Sequence, residues 1–170
     1  GPKKLVMPLP PGFPGDAAPD FVSCTLLKDR IVRIKVERLP DTTTDEVERY
    51  LDWYVSVYDY FGYTAKRRFA FVFDLRNVGL PPLRVILEKI QLTVDLEPRT
   101  LRQVVGAVVV VPDAASELVD IVRKYLYARK TKDQRLLTCD KAEGTAWLKE
   151  RMEAVASWAL EDGWDADVYS

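Results

Sequence analysis

The chain has 170 residues, 48% of them hydrophobic, with 25 Lys and Arg against 26 Asp and Glu and no histidine. That length suits a single domain of roughly 100–200 residues with its own core. A net charge of −1 excludes a dedicated nucleic-acid binder, which needs a basic excess to displace condensed counterions.

Two cysteines, Cys24 and Cys139, are too few for a disulfide framework. They are expected as small buried residues in a reducing, cytoplasmic compartment. Zinc takes about four ligands, and two isolated thiols without histidine make no site, so neither a metal nor another cofactor is expected. No apolar run reaches the roughly 18 residues of a membrane span, and the start does not resemble a signal peptide. Gly1-Pro2 has the look of a scar left by a tag-cleaving protease, and Lys3 follows rather than Met. The chain therefore reads as a domain cut from a longer protein.

Residues 1–20 read as that scar plus a Pro-rich linker or extended arm. Pro8, Pro10, Pro11, Pro14 and Pro19, with Gly12 and Gly15, rule out a helix or a strand ladder because proline fixes φ and lacks an N–H. A proline-rich ligand for a partner domain is the alternative. A β-hairpin follows. Val22, Cys24 and Leu26 alternate with polar residues, Lys28-Asp29-Arg30 turns the chain, and Ile31 to Val36 alternates again with Ile34 and Val36 inward.

Thr43 with Glu46 has the form of a capping box opening a first helix. Its Val47, Tyr50, Leu51, Tyr54, Tyr58 and Phe61 recur at helical spacing, and Gly62 is the expected stop. Phe69 to Phe73 is a short unbroken apolar run, expected as a central strand covered on both faces. A loop through Leu80-Pro81-Pro82 leads to a second helix with Leu83, Ile86, Leu87, Ile90 and Val94 as its buried stripe. Val104 to Val111 reads as another buried strand. Asp113 is placed to cap a third helix, whose inner face carries Leu118, Ile121, Val122, Tyr125 and Leu126. Arg135 to Cys139 is a last short strand, and Asp140 with Glu143 opens a fourth helix bearing Ala142, Ala146, Trp147, Val155 and Ala159. Residues 161–170 read as an acidic flexible tail, apart from Trp164 and Tyr169.

The order β-β-α-β-α-β-α-β-α implies an α/β domain over residues 21–160, with a mixed, mostly parallel sheet of about five strands and about four helices. Phe71-Val72-Phe73-Asp74-Leu75-Arg76-Asn77-Val78, the Val108 to Pro112 strand, and Thr138 through Leu148 together resemble the STAS family, the anti-sigma-factor antagonist fold. A weaker resemblance runs to the lipid-carrying CRAL-TRIO fold, though the helical region those proteins place before the α/β core is missing. The STAS resemblance implies a switch hydroxyl at the start of the helix after the Asp-ending strand. Here that place holds Gly79-Leu80-Pro81-Pro82, and no hydroxyl occurs between Asp74 and Thr93, so a phosphorylation switch of that kind is not expected.

Catalytic signals are sparse. Without histidine no Ser–His or Cys–His pair exists, and Gly-x-Ser-x-Gly, Walker A and Gly-x-Gly-x-x-Gly are all missing. Asp74, at a strand's C-terminal end, is either a site carboxylate or a loop cap, and Asp74 beside Arg76 reads as a structural pair. The function expected is therefore a non-catalytic protein-interaction or scaffold module with a protein partner or a second copy of itself. Its surface would be the aromatic flank Trp53, Val57 and Tyr60. The alternative is a lipid- or phosphoinositide-binding domain, or one that meets an anionic membrane surface through Arg123, Lys124, Arg129 and Lys130. That cluster also reads as cations at a helix C-terminus. A lipid site would further require an apolar cavity of several hundred Å³.

Overall fold

The structure, a computed structural model, describes residues 9–79 and 81–166. Expectations placed on residues 1–8, Leu80 and Tyr169, and on the side chains of Leu83, Tyr125 and Leu126, lie outside the described residues.

The hairpin comprises β1 (Val22–Leu27) and β2 (Ile31–Val36), paired antiparallel from Val22↔Val36 to Leu27↔Ile31. Lys28 and Asp29 both adopt positive φ, 52° and 60°, which matches the right-handed twist of the two strands. β3 (Phe69–Asp74), β4 (Val104–Val110) and β5 (Arg135–Thr138) extend the sheet in parallel. The sheet order is β1-β2-β3-β4-β5, so β3 is the middle strand, as its unbroken apolar run predicts.

Each crossover advances one strand in the same direction. Right-handed crossovers then place α1 (Glu46–Asp59), α2 (Leu83–Asp95), the short α3 (Glu97–Gln103) and α4 (Ser116–Tyr127) on one face of the sheet. The closing α5 (Lys141–Glu153) covers the other face. It lies so close that a Cβ on Gly144 would stand 2.8 Å from Val108. One residue of β4 is extra in the pairing, between Phe69↔Val104 and Ala70↔Gly106. This bulge resets the alternation, so that Val105 and Val108 face α5 while Ala107 and Val109 face the other helices.

Among the described residues there are five α-helices where about four were expected. Residues 95–103 carry no long apolar repeat, but Pro98 in the first turn of α3 splits it from α2. The start of α1 also differs from a capping box. Glu46 accepts the Asp41 N–H at 2.6 Å and takes Arg38 in a charge pair at 2.7 Å, while Thr43 bonds to Asp41. At the other end α1 runs into a π-helical turn, Tyr60–Thr64, so Gly62 is not a terminating residue. It is buried there because the Trp164 ring packs where a Cβ would sit. Asp140 does cap α5, accepting the Ala142 N–H at 2.9 Å, whereas Glu143 turns away to Arg123.

Both terminal segments pack more tightly than their composition suggests. Phe13 is in the core, edge-on to Tyr60 and Phe61 at 5.2 and 6.1 Å, and the carbonyl of Pro14 accepts the Trp53 indole N–H at 2.7 Å. Proline prevents a ladder but not apolar packing, so residues 9–20 are an ordered arm and not a linker. Trp164 likewise rests beside Tyr63 and Arg99, and Arg102 donates to the carbonyls of Gly163 and Trp164, each at 3.0 Å. The described part of the expected tail is therefore docked. The two cysteines are half-buried and unpaired, and burial pushes the Cys24 thiol up to about 12. No helix among the described residues is long and apolar enough to cross a membrane.

Candidate functional site

The helical face of the sheet is not fully filled. A hydrophobic cavity of about 280 Å³ lies between β3–β5 and the helices α1, α2 and α4. It exists because α2 stands off the sheet, and none of the described side chains of α2 is fully buried. Ile86, Ile90 and Val94, expected as a buried stripe, instead line this space half-exposed, and Leu87 turns outward at 56% exposure. On α4, Leu118 and Val122 line the cavity, while Ile121, expected inward, is 66% exposed. The floor tells the same story. Ala107 and Val109 are on an interior strand yet remain half-exposed, into the cavity, whereas Val108 between them is buried.

One end of the cavity is aromatic and polar. α1 presents Tyr50, Tyr54 and Tyr58 there, and β3 presents Phe73. The Tyr54 and Tyr58 hydroxyls lie 3.2 Å apart, and Tyr58 is 3.2 Å from the Thr100 hydroxyl. Behind them Gln103 donates to the Tyr58 carbonyl at 2.9 Å, and Arg99 donates to Gln103 at 3.0 Å while pairing with Asp59. This buried network ties Tyr54, Tyr58, Thr100 and Gln103 together, which fixes the tyrosine-bearing face of α1, while the outer Arg99 nitrogen meets Asp59 at 2.8 Å as an ion pair.

Lys89 is different. It projects from α2 into this aromatic end, and its ammonium nitrogen is buried with no hydrogen-bond partner. Part of its aliphatic stem stays accessible while the nitrogen sits 3.1 Å from the Tyr54 ring centroid, with Phe73 at 5.0 Å and Tyr50 at 5.7 Å. Ring faces attract a cation but do not replace its hydration. Burial, and then the nearby Arg135 guanidinium, hold the Lys89 amine well below the ordinary lysine value. Sequence reasoning passed over this residue. Its signal was a lysine at a stripe position, three residues after Ile86 and four before Thr93, both of which line the cavity.

The expected site residues do not come together. Trp53 and Val57 are buried and Tyr60 is half-buried, covered by the arm around Phe13 and Pro14. A partner reaching that flank would first have to displace the arm. In the basic cluster, Arg123 donates to the Leu137 carbonyl and to Glu143, both at 2.8 Å. Arg129 binds Glu97 through two nitrogens at 2.9 and 3.1 Å. Lys124 and Lys130 are exposed. Asp74 is locked by Arg76, which donates from its backbone and from two guanidinium nitrogens at 2.8–3.1 Å, so the loop-cap reading of Asp74 holds. Among the described residues no group of three His, Cys, Asp or Glu could hold a metal ion.

No family model, curated protein or solved structure matches this chain.

Proposed function

We propose that this chain is a non-catalytic binding domain whose cavity holds one small, largely apolar ligand. The observation that carries the reading is the partly exposed pair Ala107 and Val109 on an interior strand, looking into a partly open apolar pocket. Ligand sites are typically concave, mostly apolar and fitted with a few placed polar groups. A cavity of about 280 Å³ suits a ligand at the small end of that range. The weak resemblance of the sequence to the CRAL-TRIO fold points the same way. The protein-interaction reading expected first from the sequence is less supported, because the arm packs over the Trp53 flank.

The test is a substitution that fills the space. Ala107→Phe projects a ring from the floor of the cavity without touching α5. Native mass spectrometry after incubation with dodecanol or dodecanoate should show a one-to-one complex for the native chain and none for Ala107→Phe, with Tm kept or raised. A complex formed equally by both proteins would overturn the cavity as the binding place.

A further inference from the structure

We infer that the ligand is an amphipathic monocarboxylate and that Lys89, with Arg135, receives its head group. The inference rests on the cavity reading above and names what that cavity selects.

Charge is the first ground. Among the described residues no Asp or Glu lines the cavity, and the charged ones that do are Lys89, Arg129 and Arg135. Arg129 is taken by Glu97. Lys89 has no hydrogen-bond partner, and Arg135 is not among the ion pairs of the described residues. A buried cation is costly unless it is paired. Two cations lining one apolar space from α2 and β5, with no acid among the described lining residues to answer them, are complementary to an anion brought by the ligand.

Head-group size is the second ground. A planar guanidinium and one ammonium match the two oxygens of a carboxylate. A phosphate monoester carries a charge of about −1.5 to −2 and three acceptor oxygens, and so costs more to bring out of water into an apolar space than a carboxylate does. The body of the ligand would extend from the aromatic end over Ala107 and Val109 toward Leu118. Lys89 has a flexible four-carbon stem, so its ammonium reaches a carboxylate by rotating away from the Tyr54 ring while α2 stays in place.

Proton linkage gives a further signature. The titratable or charged groups facing Lys89 are Tyr50 and Tyr54 of α1 and Arg135 of β5. Both tyrosines are held above the ordinary phenol value by burial and stay neutral at physiological pH. A carboxylate arriving beside Lys89 reverses the effect of burial on its amine, so binding takes up a proton and weakens as pH rises.

The experiment compares dodecanoate with dodecanol, equal in chain length and different in head group, by titration calorimetry at pH 7. Dodecanoate should bind the native chain at least about tenfold more tightly, the worth of one charge-assisted hydrogen bond. Lys89→Met should remove that preference, so that dodecanoate and dodecanol bind this variant within about twofold of each other. Arg135→Gln serves as the second variant and should reduce the preference in part. Equal binding of the two amphiphiles to the native chain, or a preference that survives both substitutions, overturns the head-group assignment and leaves the cavity standing. Failure of both amphiphiles to bind the folded native chain overturns the cavity reading, and this inference with it.

Discussion

The ammonium of Lys89 lies 3.1 Å from the centroid of the Tyr54 ring, and no hydrogen-bond acceptor reaches it. The ring supplies some attraction, on the order of 1 kcal/mol, against the larger cost of stripping water from an ammonium. The ligand-free protein is therefore less stable than its shape allows. Lys89→Met keeps the length and removes the charge. We expect it to stabilise the ligand-free chain by about 1–3 kcal/mol, read as a rise in Tm at pH 7.

The same residue sets a pH dependence. With its folded-state pKa lowered by burial and by Arg135, the folded chain binds fewer protons than the unfolded chain between that lowered pKa and the ordinary lysine value. Stability should therefore rise with pH through this window. Below the folded pKa the penalty is constant, and above the ordinary value it vanishes. Denaturant titrations at stepped pH should give a smaller upward slope for Lys89→Met than for the native chain. Identical slopes would mean that Lys89 is not desolvated in solution.

Much of the fold can be read from the sequence, and the reasons why the rest cannot are local. β-strands announce themselves through unbroken apolar runs, as at Phe69 to Phe73, and their order follows from the alternation with helices. What a repeat cannot reveal is how far a helix stands from the sheet. Ile86 and Ile90 have the same spacing whether they fill a core or line a cavity, and only the exposure of Ala107 opposite them distinguishes the two. Composition misleads at the ends for a similar reason. Proline forbids a ladder around Phe13 but leaves its ring free to pack, and the acidic run around Trp164 hides one large apolar anchor.

The Asp74–Arg76 pair predicts an acid-side effect. Arg76 holds the Asp74 carboxyl below its ordinary value, so this contribution is present above the unfolded aspartate pKa and fades as pH falls through the folded one. Asp74→Asn keeps the shape and removes the charge. It should cost about 1–2 kcal/mol at pH 7, since Arg76 is partly exposed and screened. The difference between native and variant should persist in mild acid and shrink toward zero only as pH falls below the ordinary aspartate pKa of about 3.9. A constant difference across that range would assign the loss to packing and not to the ion pair.

The arm predicts a packing effect. Phe13 is buried against Tyr60 and Phe61, and it helps seal Trp53 and Val57 from water. Phe13→Ala should cost about 3 kcal/mol or more through the ring lost and the void left. A change below about 0.5 kcal/mol, the range of ordinary surface substitutions, would mean that the arm is undocked in solution and that the aromatic flank is available to partners.

Gly62 and Trp164 allow the sharpest test, because each explains the other. In the native fold the Trp164 ring occupies the place a side chain at position 62 would need. Gly62→Ala should therefore cost about 1–3 kcal/mol by overpacking, even though alanine favours a helix over glycine by about 1 kcal/mol. Trp164→Ala removes the obstacle at its own cost in burial. In that background the main clash is gone and the helix preference works against only a tight 3.2 Å approach to the Gln103 amide nitrogen, so the further change Gly62→Ala should become close to neutral. The coupling in this double-mutant cycle should reach about 1–3 kcal/mol. If the two changes simply add, Trp164 does not rest on Gly62 in solution, and the C-terminal segment is not held there.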